Sequence, residues 1–265
     1  MADRIRLIAS DLDGTLLLNK ATRCNEELFP LLDRLLEQDV YFVAASGRQY
    51  PNLLRLFHKR HDKMLYLCEN GALVLYQNQI MMKQVFEDYL ALQLCHAVLE
   101  DTRCELVISG ERTSYIIPKD ESFAHYIRDE IGNNITIVGQ PEEIEEPIMK
   151  VSYFISKENR DAVTAGFDKL FHGQCLIVTS GNEWVDFAPL GTSKGAAMAC
   201  IGEALGIALE EMVAFGDNEN DRTMLEYVGH PYIMEGCNPS ILDIKGTHCD
   251  KVEDTLRELL AQMEV

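Results

Sequence analysis

Basic residues are scarce in this chain. Its 265 residues hold 24 lysines and arginines against 43 aspartates and glutamates, a formal net charge of −19. Such a surface repels phosphate backbones and anionic headgroups, so neither nucleic acid nor membrane is expected as a partner. No two of the eight cysteines are separated by just two residues, so the spacing of a zinc clip is missing. Cysteines such as Cys95, in Leu92-Gln93-Leu94-Cys95, sit among apolar residues and are expected to be buried, reduced thiols. The seven histidines (His58, His61, His96, His125, His172, His230 and His248) do not cluster, and none is assigned to a metal or to catalysis. Long apolar runs are also missing: none approaches the ~18 residues of a membrane-spanning helix. The opening Met-Ala-Asp-Arg-Ile-Arg meets charge too early for a signal peptide, and the chain reads as cytoplasmic.

What remains is ordinary globular composition, 47% hydrophobic and 25% charged. That is enough for one substantial core, or for a core domain and a second module. The ends of the chain alternate strand and helix. Ile5–Ala9, Val40–Ala45, Met64–Leu67, Met212–Phe215 and Tyr232–Met234 read as apolar strands. Glu26–Gln38, with Leu28, Leu31, Leu32, Leu35 and Leu36 at helical spacing, reads as a helix. Tyr50–His58, Lys194–Leu205, Asn218–Tyr227 and Val252–Met263 read likewise. This rhythm predicts an α/β fold with a parallel sheet covered on both faces. Between about residues 83 and 188 the rhythm changes. Helices at Phe86–Asp101, Glu121–Glu130 and Lys157–Phe171 alternate with hairpin-like strand pairs, which predicts an inserted α+β module. The expected domains are therefore 1–82 with 189–265, and 83–188. The acidic Pro141–Pro147 stretch reads as a solvated loop.

Three of the apolar strands end in polar clusters: Asp11 and Asp13; Ser46, Gly47 and Arg48; Asp217, Asn220 and Asp221. In open α/β sheets ligands bind beyond the carboxyl ends of the strands, so these distant segments are expected to share one crevice. Carboxylates gathered there repel one another unless a cation or protons intervene. Oxygen-only ligands favour magnesium over zinc, and magnesium retains room for water and a substrate phosphate. Lys194 at a helix start adds fixed positive charge. Gly191-Thr192-Ser193-Lys194-Gly195 lacks the Gly-Lys-Ser/Thr order of a P-loop. Arg222 and Leu16 stand where EF-hand loops begun at Asp217 or Asp11 need glycine.

Asp11-Leu12-Asp13-Gly14-Thr15-Leu16-Leu17 resembles the first motif of the haloacid dehalogenase superfamily. Ser46-Gly47-Arg48 resembles the second, Lys194 the third, and Gly216-Asp217-Asn218-Glu219-Asn220-Asp221 the fourth. The insert, with Asn70-Gly71-Ala72 before it, is similar to the α/β cap of the Cof-type sugar-phosphatase branch. The resemblance implies a Rossmann-like core with a cap domain that closes over the crevice, and a magnesium-dependent phosphatase of a small phosphorylated metabolite such as a sugar phosphate. It implies that Asp11 attacks phosphorus and that Asp13 serves as general acid and then base. It further implies that Asp11, Asp13 (by its carbonyl), Asp217 and Asp221 form the metal site. Ser46, Gly47, Lys194 and Asn220 would hold the phosphoryl oxygens, and Arg48 either touches substrate or pairs with a nearby carboxylate. A monomer or weak homo-oligomer is expected. The alternatives are a phosphomutase using the same Asp11 and a non-catalytic metabolite-binding protein on the same scaffold. The chain departs from the family at Met234-Glu235-Gly236-Cys237-Asn238-Pro239. In the insert, Trp184 reads as packing, and Asn182, Glu183 and Asp186 as possible contacts to a leaving group.

Overall fold

The computed structural model describes residues 4–57, 64–180 and 183–263. The expected helix end at His58, together with His61 and Asn182, lies outside the described residues. In chain order the elements begin with β1 (Leu7–Ser10), α1 (Leu28–Glu37), β2 (Tyr41–Ala45), α2 (Tyr50–Leu56), β3 (Leu65–Cys68), β4 (Leu73–Tyr76) and β5 (Gln79–Lys83). There follow α3 (Asp88–Glu100), β6 (Glu105–Ser109), β7 (Ser114–Ile116), α4 (Glu121–His125), β8 (Ile135–Ile137), β9 (Lys150–Phe154), α5 (Lys157–Phe171), β10 (Leu176–Ser180) and β11 (Trp184–Ala188). The last are α6 (Lys194–Leu205), β12 (Met212–Gly216), α7 (Arg222–Tyr227), β13 (His230–Met234), β14 (Thr247–Cys249) and α8 (Val252–Met263). They form two compact units, one of Met1–Met82 with Ser193–Val265 and the other of Lys83–Thr192.

The first unit is built on an eight-stranded sheet in the order β14-β13-β12-β1-β2-β3-β4-β5. From β14 to β3 every pairing is parallel. The fold is thus the α/β type read from the sequence, with one addition: β4 runs antiparallel to β3 and leads into β5 at the sheet edge. Both residues of the β4–β5 loop, Gln77 and Asn78, have positive φ, as a two-residue hairpin requires. The central strands are buried on both faces, which explains their unbroken apolar runs. Leu7, Ala9, Val43, Ala45, Met212 and Ala214 meet Ala197, Met198 and Ile201 of α6 and Met224 and Leu225 of α7 in one core. On α1, Leu28, Leu31, Leu32 and Leu35 are buried, and the helix packs on β2 and α8. Burying a leucine of this kind contributes about 1.5–3 kcal/mol.

The second unit carries a six-stranded sheet, β10-β11-β9-β6-β7-β8, antiparallel except for the β7–β8 pair. Alternation along the strands divides its residues between two faces. Leu106, Ile108, Val151, Tyr153, Val185 and Phe187 pack under α3 and α5 against Leu94, Val98, Val163 and Phe167. The opposite face holds Val107, Ile116 and Phe123, with Phe154 and Trp184 against them. Trp184 is a packing residue there, its ring 5.2 Å from that of Phe154. The acidic stretch is not wholly solvated: Glu146 is buried and accepts from Arg112 Nε at 3.1 Å. Asp186 is buried too, bound by Ser152 Oγ at 2.7 Å and Lys150 Nζ at 3.3 Å.

Candidate active site

The end of β1 fixes the first group of functional side chains. The Asp11 amide donates to the Phe215 carbonyl at 3.0 Å, so the strand remains tied to β12 until the chain turns away. The turn is tight: Leu17 N and Thr15 N both donate back to the Leu12 carbonyl. Gly14 sits at φ +96°, and a Cβ added there would lie 2.3 Å from Asp217 Oδ2. Only glycine meets both conditions, so the first turn and the end of β12 come into direct contact.

Lys194 is the first residue of α6 and is fully buried. Ser193 caps that helix, its hydroxyl accepting from Ala196 N at 3.1 Å. The ammonium lies 2.6 Å from Asp11 Oδ1, 2.6 Å from Asp221 Oδ1 and 3.1 Å from the Ala45 carbonyl. All three of its protons therefore have an acceptor. Asp221, also fully buried, uses its other oxygen to accept from the amides of Asp217 and Asn218, each at 3.0 Å. Asp221 thereby shapes the loop that presents Asp217. Asp217 Oδ1 in turn accepts from Thr15 Oγ1 at 2.9 Å.

Asp11, Asp217 and Asp221 each offer a carboxylate oxygen, all within 4.8 Å of one another. Burial, then the charge of Asp221, raises Asp11 well above the ordinary carboxylate range, against the pull of Lys194. Asp217 is raised for the same two reasons. Burial alone would lower Lys194, but Asp11 and Asp221 outweigh it and raise it. One ammonium among three carboxylates leaves a negative excess in a poorly solvated place. A hard divalent cation with oxygen ligands relieves that excess, and the donor set fits magnesium.

Asp13 is placed differently from Asp11. Its side chain is 55% exposed, and both of its oxygens accept from Arg48, one from Nε at 2.7 Å and the other from Nη2. The fork matches the carboxylate geometry. Ser46 Oγ accepts from Arg48 N at 3.2 Å, which closes the second-motif turn. Asn220 Nδ2 donates to Asn70 Oδ1 at 3.1 Å. In the segment 234–239, Asn238 N donates to the Asp217 carbonyl at 2.7 Å, and its side chain donates to Asn218 Oδ1 at 3.1 Å. Asn238, Asn70 and Thr15 stand in segments named from the sequence but carry no expected role of their own there. Thr15 lies inside a motif and Asn70 beside a glycine, but their partners are about 150–200 residues away.

The family model described as haloacid dehalogenase-like hydrolase matches residues 8–255. The chain is 25% identical to the 5-amino-6-(5-phospho-D-ribitylamino)uracil phosphatase of Escherichia coli over 90% of its own length and 88% of that protein. It is 27% identical to the HMP-PP phosphatase of Citrobacter koseri over 89% and 86% of the two chains. Among solved structures, a sugar phosphatase of haloacid dehalogenase subclass IIB superimposes with a TM-score of 0.79 at 20% identity, over 96% of this chain and 98% of that one. Among the described residues, no helix is long and apolar enough to cross a membrane.

Proposed function

The chain belongs to the haloacid dehalogenase-like hydrolases, and on that premise we propose that it is a magnesium-dependent phosphatase that hydrolyses a small phosphorylated metabolite through an aspartyl-phosphate at Asp11. The observation that carries this reading is the buried Asp11–Lys194–Asp221 arrangement at the strand ends, beside Asp217. Asp11 would attack phosphorus, forming an O–P bond as the bond from phosphorus to the ester oxygen breaks. Lys194 occupies Asp11 Oδ1, which leaves the second carboxylate oxygen as the nucleophile. Asp13 would give its proton to the departing oxygen and later take one from the water that cleaves the acyl phosphate. Before the first of these steps the Arg48 fork must release Asp13. Lys194, with the Ser46–Gly47 turn and Asn220, would neutralise and hold the phosphoryl oxygens, so positioning and charge do most of the catalysis.

Asp11, Asp217 and the Asp13 carbonyl are the residues we assign to magnesium, with Asp221 behind them. When bound, the ion supplies positive charge against the phosphate oxygens. The relatives are named for phosphorylated compounds of different kinds, which supports a small phosphorylated metabolite, a sugar phosphate among the first to be tried.

The test is phosphate release from a panel of phosphorylated sugars, pyrimidine derivatives, nucleotides and cofactors, with and without EDTA, beside Asp11→Asn. Release by the wild type that disappears in both controls is the expected result, and the panel ranking names the substrate class. Release that persists in Asp11→Asn would remove the aspartyl-phosphate. A phosphomutase would instead isomerise a sugar phosphate when given a hexose bisphosphate.

A further inference from the structure

The segment after β3 has an unusual backbone. Glu69 and Asn70 have φ of 50° and 55°, and Gly71 follows at 103°. Three consecutive left-handed residues are costly for ordinary side chains, and asparagine is among the few that accept the conformation readily. A chain takes up such a shape only where the surroundings over-determine it.

Here the surroundings are the turns of the candidate site. Glu69 N donates to the Arg48 carbonyl at 3.2 Å and Asn70 N to the Ser46 carbonyl at 3.0 Å, so the segment holds the second-motif turn by its backbone. A Cβ on Gly71 would lie 2.3 Å from the Ser193 carbonyl oxygen and 3.2 Å from Lys194 N, which puts this backbone directly against the start of α6. A Cβ on Gly47 would lie 3.1 Å from both Asn70 Nδ2 and Oδ1, so the amide plate of Asn70 sits under Gly47. From there Asn70 Oδ1 accepts the Asn220 Nδ2 bond at 3.1 Å. Ser46–Gly47, Lys194 and Asn220 are all separated in sequence, and residues 69–71 touch each of them.

We propose that Asn70 is a positioning residue of the phosphoryl site, acting through Asn220. This rests on the phosphatase reading above. The Asn220 amide nitrogen carries two protons. Asn70 Oδ1 takes one, which stops rotation of the amide and aims the second at a phosphoryl oxygen bound over the Ser46–Gly47 turn. The left-handed backbone at residue 70 is what brings the acceptor to this point.

The experiment separates the side chain from the backbone. Asn70→Gly removes the amide and relieves the left-handed strain; Asn70→Ala removes the amide and keeps the strain. Both are assayed on p-nitrophenyl phosphate with magnesium, beside wild type, Asp11→Asn, Asn220→Ala and Asn70→Gly/Asn220→Ala, and Tm is recorded for each. If the amide positions Asn220, both Asn70 variants lose roughly tenfold in kcat/KM although Asn70→Ala melts lower than Asn70→Gly. In the Asn220→Ala background, Asn70→Gly then has no further effect on kcat/KM. Full activity in Asn70→Gly, or a loss of the same size with and without Asn220, overturns the proposal. Turnover by Asp11→Asn equal to wild type would overturn the aspartyl-phosphate at Asp11, and this proposal with it. Binding of inorganic phosphate, measured by calorimetry across the same cycle, gives the coupling independently of turnover, and independence of residues 70 and 220 there also refutes it.

Discussion

Replacing Lys194 by methionine keeps the length of the side chain and removes its charge. In the native protein the ammonium is fully buried between Asp11 and Asp221, at 2.6 Å from each. The variant leaves two carboxylates facing one another, one wholly and one 95% out of water. Breaking a buried pair from one side costs about 3–5 kcal/mol, because the remaining charge has neither water nor a partner. With a urea slope of about 3 kcal/mol per M, the unfolding midpoint in EDTA at neutral pH falls by roughly 1–1.7 M. The deficit depends on pH with a definite sign. Asp11 is raised above the ordinary carboxylate range by burial and by Asp221, with Lys194 opposing. Without Lys194 it rises further, so the folded variant binds a proton that the unfolded chain does not. Its stability then falls as pH rises through that window and recovers as pH drops. Adding Asp221→Asn removes one of the stranded charges and recovers part of the loss. A midpoint unchanged by Lys194→Met, or a deficit that deepens as pH is lowered from 7 to 5, would refute the view that this lysine holds the carboxylates together.

If magnesium binds at the proposed site, the ion at about one hundred times its dissociation constant is expected to stabilise the fold by about 2.7 kcal/mol, roughly 5–10 °C in a thermal melt, with most of the shift lost in Asp217→Asn. Gly195→Ala places a methyl 2.3 Å from the Thr223 carbonyl oxygen; forcing α6 from α7 costs about 1–3 kcal/mol in urea unfolding, and an unchanged midpoint would mean the helices part freely. Phe187→Ala, in the core of the second unit and fully buried, destabilises that unit by about 3–5 kcal/mol, read by proteolysis within Lys83–Thr192. Arg48→Ala frees both Asp13 oxygens and alters kcat more than overall stability, because the pair is partly exposed.

The long periodic elements were legible in the sequence because burial leaves a strong pattern. The readings Lys157–Phe171, Lys194–Leu205 and Val252–Met263 coincide with α5, α6 and α8. Three-residue strands left too little pattern: β8 and β14 were not anticipated. Nor was the β4–β5 pair, whose outer strand is largely exposed and has no apolar alternation. The reading of Glu121–Glu130 as one helix meets a change of pitch, since Tyr126–Glu130 continues α4 as a π-turn. At the candidate site, residue types and order pointed to segments that the fold brings together around Asp11, Lys194, Asp217 and Asp221. They could not show that Arg48 grips Asp13, that Asn238 anchors the Asp217 loop, or that Asn70 reaches Asn220. Those bonds depend on rotamers and on a sheet order that joins β1 to β12.

That sheet order also sets a timetable for synthesis. β1 lies between β2 and β12, and its partners on the β12 side, Met212–Phe215, follow it by about 205 residues. A nascent chain that has emerged only to residue 192 can pair β1 with β2 and β3, but it has neither Lys194 to sit beside Asp11 nor β12 to cover the open edge. The Lys83–Thr192 unit, by contrast, is contiguous and complete by then, and domains generally fold as units while the chain is still being made. The candidate site is thus among the last features the molecule acquires. Premature termination between residues 193 and 211 leaves a chain with a finished module and an exposed strand edge but without Asp217 and Asp221, the kind of species that chaperones and proteases are there to remove.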